Sequence, residues 1–119
     1  MEKPHRNLEA WKQSMDLAIK VYGATATFPK NEVYGLTNQS RRAVVSISSN
    51  IAEGAARQTK REFLNFLHIA QGSLSELDTQ LELARRLSYL PETSWHELDS
   101  RMVSIDKMLT GLIRHVSKK

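Results

Sequence analysis

Residues 63–84 read FLNFLHIAQGSLSELDTQLELA, and within them Phe63, Leu67, Ala70, Leu74, Leu77, Leu81 and Ala84 recur at spacings of 4, 3, 4, 3, 4 and 3. That alternation keeps seven apolar side chains on one stripe of an α-helix for three heptads, a seam that packs knobs into holes at a shallow crossing angle. Immediately before it stands Thr59-Lys60-Arg61-Glu62, a capping box in which the threonine hydroxyl and the glutamate side chain can each satisfy an orphan backbone donor. Pro91 marks the end of the segment.

The same period extends in both directions. Downstream, Ser94-Trp95-His96-Glu97 reads as a second capping box, followed by Leu98, Met102, Ile105, Leu109, Leu112 and Val116, with Lys118 and Lys119 suited to a helix C-terminus. Upstream, Leu36, Ala43, Val44, Ile47 and Ile51 form a narrow apolar face lined by Ser40 and Asn50. Further upstream, Leu8, Trp11, Met15, Ala18 and Tyr22 make a stripe that Pro29 closes. These patterns predict an all-α chain, with helices over about residues 7–28, 33–54, 60–89 and 95–116. The connections are short enough only to reverse the chain, which predicts one domain, an up-down-up-down antiparallel four-helix bundle. The first and third helices carry further apolar rows, Leu17, Val21, Ala24 and Phe28, and Phe66, Ile69, Leu83 and Leu90. A wide core face or a subunit interface accounts for such surplus.

With 119 residues the chain is long enough to bury a core without disulfides or metal, and its lack of cysteine excludes a disulfide framework, a thiol nucleophile and a thiolate zinc site. No apolar run approaches the ~20 residues that span a bilayer, and the polar start carries no export signal, so the expectation is a cytoplasmic protein with no membrane contact. A di-iron site in a bundle needs paired Glu-x-x-His motifs facing inward. His68, His96 and His115 lack the acid, and the one match, Glu2 to His5, lies in the tail. Ser46, Ser48 and Ser49 have no histidine near them in sequence, and their expected role is close helix packing with hydroxyls bonded to the backbone four residues back. The expectation is no enzyme, no metal, no cofactor and no small-molecule substrate.

Seventeen Lys and Arg against thirteen Asp and Glu give a net charge of +4. Between Arg41 and Arg61 stand Arg41, Arg42, Arg57, Lys60 and Arg61 against Glu53 alone, so this stretch holds the whole excess. These five residues are the candidate contacts for RNA or DNA phosphates. The alternative is a protein-interaction scaffold in which the arginines serve subunit interfaces and no nucleic acid takes part.

The order Phe28-Pro29, Glu32, Tyr34-Gly35-Leu36, Gln39, Arg41-Arg42-Ala43, Ser46-Ile47, Asn50-Ile51-Ala52-Glu53-Gly54 and Arg57, followed by Gly72-Ser73-Leu74 and Glu76-Leu77, is more than amphipathicity requires. It resembles the four-helix-bundle proteins encoded in intervening sequences of bacterial 23S rRNA genes, over about Leu8 to Leu90. The resemblance implies a bundle that assembles into a ring-like homo-oligomer, a pentamer, in a bacterial cytoplasm, with no catalytic residues. It also implies a fold similar to accessory proteins of diversity-generating retroelements, which bind nucleic acid beside a reverse transcriptase.

Overall fold

Thr59 adopts an extended conformation, and its Oγ1 accepts the Glu62 amide at 3.2 Å while its hydroxyl donates to Glu62 Oε1 at 2.9 Å. The cap forms, although the Glu62 carboxylate takes the threonine hydroxyl and not a backbone N–H. From this start α3 runs unbroken over Lys60–Arg86. In this computed structural model, which describes residues 1–119, the other long helices are α1 (Glu9–Thr25), α2 (Leu36–Ala55) and α4 (Glu92–Ser117). Short 3-10 turns at Pro4–Asn7 and Lys30–Glu32 precede α1 and α2, and there is no strand.

Consecutive helices pack on one another, α1 closes the square against α4, and the backbones of the diagonal pairs stay apart. Every neighbouring pair runs antiparallel, as cross-links between opposite ends of the chain elements require. Arg41, early in α2, bonds to Thr25 at the end of α1, and Lys60, first in α3, bonds to the backbone at Ser117 and Lys119. Lys20, late in α1, pairs with Glu97 near the start of α4. The resulting body measures 45 × 24 × 19 Å. Its core is one cluster to which all four helices contribute, with Leu17, Val21, Val44, Ile47, Leu67, Leu77, Leu81, Ile105 and Leu109 fully buried.

Three expectations are corrected. On α1 the core stripe is Ala10, Ser14, Leu17, Val21 and Thr25, whereas Met15 and Tyr22 are 40% and 44% exposed. Two of the buried positions are polar, and each hydroxyl is satisfied within its own helix: Ser14 Oγ donates to the Ala10 carbonyl and Thr25 Oγ1 to that of Val21, both at 2.7 Å. Hydroxyls bonded four residues back do not forfeit hydrogen bonds on burial, so Ser14 and Thr25 take the centre of the face, while Leu8, Trp11 and Ala18 of the expected stripe pack at its edge, partly buried. The rows read as surplus therefore include core: Leu17, Val21, Phe28 and Leu90 are buried, while Ile69 and Leu83 stay exposed.

Second, α4 begins at Glu92 and not at Ser94, because the Pro91 carbonyl already accepts the Trp95 amide at 3.0 Å. No capping box forms, and Glu97 pairs with Lys20 and Arg101 instead. Third, α1 stops at Thr25, α2 starts at Leu36, and α3 stops at Arg86. The α3 end is a left-handed cap: Ser88 has φ 65°, its amide donates to the Arg85 carbonyl at 2.9 Å, and that of Tyr89 donates to the Ala84 carbonyl at 2.8 Å. This double bond pattern normally uses glycine, and no glycine marks it here.

At Gly54, inside α2, an added Cβ would lie 2.8 Å from Phe66 Cβ and 3.0 Å from Phe63 Cδ1, so α2 and α3 touch through the missing side chain. Gly54→Ala gains up to ~1 kcal/mol of helix propensity but forces the helices apart at an overpacking cost of about 1–3 kcal/mol. The expected result is a lower urea midpoint. Ser88→Gly removes the steric penalty of a left-handed residue with a side chain and should raise stability by about 1 kcal/mol in the same assay.

Candidate nucleic-acid interface

Folding divides the five basic residues between opposite ends of the bundle. Arg41 lies near the start of α2, where its Nε donates to Thr25 Oγ1 at 2.9 Å and its Nη2 to the Tyr22 carbonyl at 3.3 Å. Its guanidinium sits 4.6 Å from the centre of the Tyr22 ring. Arg42, exposed beside it, borders a polar cleft with Gln39, Glu76 and Gln80 between α2 and α3. Neither arginine is within ion-pair distance of a carboxylate.

Arg57, Lys60 and Arg61 surround the α2–α3 turn at the other end. Arg57 Nη2 lies 3.1 Å from Glu53 Oε1, one helical turn back, and its guanidinium covers the Phe66 ring at 5.0 Å. An exposed pair of this kind is worth only ~0.3–0.5 kcal/mol and leaves the arginine available. Lys60 lays its ammonium on the end of α4, donating to the Lys119 carbonyl at 2.8 Å and more weakly to that of Ser117 at 3.5 Å. The unpaired carbonyls and negative dipole end of a helix C-terminus draw it there. Arg61 is exposed and makes no hydrogen bond or ion pair.

The antiparallel course also carries both chain ends to this turn. Residues 1–12, 50–66 and 108–119 share one end of the bundle, and together they hold nine Lys and Arg against four Asp and Glu. The remainder holds eight against nine. The net positive charge of the molecule is therefore a property of one pole, to which Lys3, Arg6, Lys12, Arg114, Lys118 and Lys119 contribute beside the α2–α3 turn. Those six are scattered in sequence, and only the helix order that the periodicity already predicts brings them together.

At the opposite end, Arg85 and Arg86 are consumed by carboxylates. Arg85 donates to both oxygens of Glu92, at 3.0 and 3.2 Å, stacks 4.1 Å over Trp95, and reaches Glu82, which also accepts from Arg86 at 2.8 Å. The hydrogen bond from Arg86 holds the Glu82 carboxyl below its ordinary range, and that from Arg85 does the same for Glu92.

Nowhere do three His, Asp or Glu side chains converge in an arrangement that could hold a metal ion. Ser46 Oγ meets Ser73 Oγ of α3 at 2.8 Å, and Asn50 Nδ2 donates to the Ser46 carbonyl and hydroxyl at 2.8 and 3.0 Å. Ser48 Oγ donates to the Val45 carbonyl, three residues back and not four. These groups stitch α2 to α3 and to itself, and no histidine is bonded to them. No helix is long and apolar enough to cross a membrane.

Fold and surface together define a small helical bundle with a basic pole. Residues 6–111 match the 23S rRNA-intervening sequence protein family, and the chain belongs to that family. The same fold occurs in the crystal structure of a protein with unknown function from the S23 ribosomal protein family of Bacteroides thetaiotaomicron. The two chains superpose with a TM-score of 0.82 at 24% identity, over 88% of this chain and 95% of the other. No curated protein matches the sequence.

Removing the Lys60 ammonium uncovers the end of α4 without touching the core. Lys60→Ala should speed amide exchange in the last turn of α4 and leave the urea midpoint unchanged.

Proposed function

We propose that this protein is a non-enzymatic, homo-oligomeric helical module of the cytoplasm that binds nucleic acid through the phosphates, without reading sequence. The observation that carries the reading is the confinement of the net positive charge to one pole, centred on Arg57, Lys60 and Arg61. A polyanion is the partner that such a field selects, since each phosphate neutralised by Lys or Arg releases condensed counterions. The one ring at the α2–α3 turn that an arginine reaches, Phe66, is covered by the Arg57 guanidinium, so the cluster acts through charge on phosphates and not through stacking on bases.

Homo-oligomer formation is supported by apolar side chains left on the flanks: Met15 and Tyr22 on α1, Val45 on α2, and Val103 on α4 are each between two fifths and one half exposed. Ile19 on α1 is 70% exposed. A closed ring, of five copies as the family resemblance implies, would set several poles on one rim and turn a modest patch into a continuous one. Arg41 and Arg42 stand too far along the bundle to join that patch and are assigned to contacts between copies.

The test is binding of a structured RNA and of duplex DNA across a salt series. Affinity should fall steeply, with a log-log slope of about 0.7–0.9 per phosphate engaged, and with little dependence on sequence. Arg57→Glu, Lys60→Glu and Arg61→Glu together should abolish binding while helicity is retained. Glu53→Gln, which frees Arg57 and removes a negative charge from the pole, should tighten it. Absence of binding by the native protein at ~50 mM salt, or binding that the triple reversal leaves unchanged, overturns the reading.

A further inference from the structure

Because the helices touch in the cyclic order α1, α2, α3, α4, the groove between α1 and α2 and the groove between α3 and α4 lie on opposite long sides of the bundle. Their chemistry is opposite too. The α1–α2 side presents Tyr22 and Val45 with Arg41 and Arg42, neither of which has a carboxylate partner. The α3–α4 side presents Leu74, Met102 and Val103 beneath Asp78, Asp99 and Asp106, none of which has a cation within ion-pair distance. One lysine, Lys107, borders this groove without pairing.

The two charge clusters also stand at the same level. Arg42 is six residues from the start of α2, Asp78 eight from the end of α3 and Asp99 seven from the start of α4. All three distances are measured from the end of the bundle away from the basic pole. At ~1.5 Å of rise per residue they correspond to heights of about 9, 12 and 10 Å.

We infer that the α1–α2 side of one copy docks against the α3–α4 side of the next, Arg41 and Arg42 meeting Asp78 and Asp99 across an apolar strip of Tyr22, Val45 and Val103. This rests on the homo-oligomeric reading and names the surfaces that realise it. The contact joins different patches on the two copies, so it repeats head to tail and closes into a ring when the rotation permits. Equal heights of the charges mean that neighbours stand parallel, with every basic pole on the same rim. A long side of a 45 × 24 × 19 Å body is large enough for the ~800 Å² per partner of a standard interface. The Asp78 carboxyl is held above its ordinary value by partial burial, by Asp99 and by Glu82, which fits a carboxylate waiting for an external cation.

The experiment is mass measurement by light scattering on the full chain and three variants, with helicity followed by circular dichroism. Arg41→Glu with Arg42→Glu reverses one side, and Asp78→Lys with Asp99→Lys reverses the other. Each should reduce the native oligomer to the 13.6 kDa chain. The fourfold variant carrying all these changes again presents opposite charges on its two sides, and it should recover the native mass. If Arg41→Glu disturbs folding through Thr25, Arg42→Glu alone replaces the pair, since Arg42 is exposed and unbonded. A native protein of 13.6 kDa at low micromolar concentration ends the oligomeric reading and this one together. A native oligomer whose mass survives either reversal, or is not restored by the fourfold exchange, overturns the assignment of surfaces while leaving the oligomer standing.

Discussion

Only residues 56–59 separate α2 from α3, so these two helices have no choice but to turn back on each other in direct contact. Gly54 permits the approach by presenting bare backbone to Phe63 and Phe66, and the Ser46–Ser73 hydroxyl contact continues it toward the middle of the bundle. With that pair fixed, the seam of α3 has one open flank, which α4 covers, and α1 completes the square. The position of both chain ends follows from this chain reversal, and with it the position of the charge.

Charge is arranged on this frame in three distinct ways. At one end Arg85 and Arg86 are locked to Glu82 and Glu92, which stiffens the α3–α4 connection and contributes nothing to the outside field. At the other end the cations outnumber the anions, and their contacts are with carbonyls or with one exposed glutamate. On the flanks, Arg41, Arg42 and the three aspartates have no oppositely charged partner. Ion pairs formed inside one chain are spent on its own shape, whereas the unpaired groups are what another molecule encounters.

The sequence disclosed the helices because the period of apolar residues in α3 and α4 is long and regular: the Leu67 to Ala84 seam is buried where the spacing puts it, as are Leu98, Met102, Ile105, Leu109 and Val116, with Leu112 partly buried against them. It misled on α1 because burial there was decided by shape and backbone hydrogen bonding: Ser14 and Thr25 fit the interior, and the bulkier Met15 and Tyr22 did not. The start of α4 was misread because a proline carbonyl began the helix before the capping motif could, and the end of α3 because a serine took the conformation expected of glycine. Of the candidate site, the α2–α3 turn was legible as a local cluster. Arg41 and Arg42 belonged to the same sequence run but not to the same surface, since a 20-residue helix carries them away from it. The contribution of the two termini was invisible to any window along the chain.

A molecule with its excess charge at one end of a 45 Å body is an electric dipole as well as a cation. Approaching a polyanion, it turns before it touches, so the asymmetry acts first on the rate of productive encounter. In the proposed assembly, parallel copies would set like poles side by side, and their mutual repulsion would oppose the contacts between flanks. A polyanion lying across such a rim would relieve that repulsion, and the proposed assembly and phosphate binding would then be thermodynamically linked, each strengthening the other by the same factor.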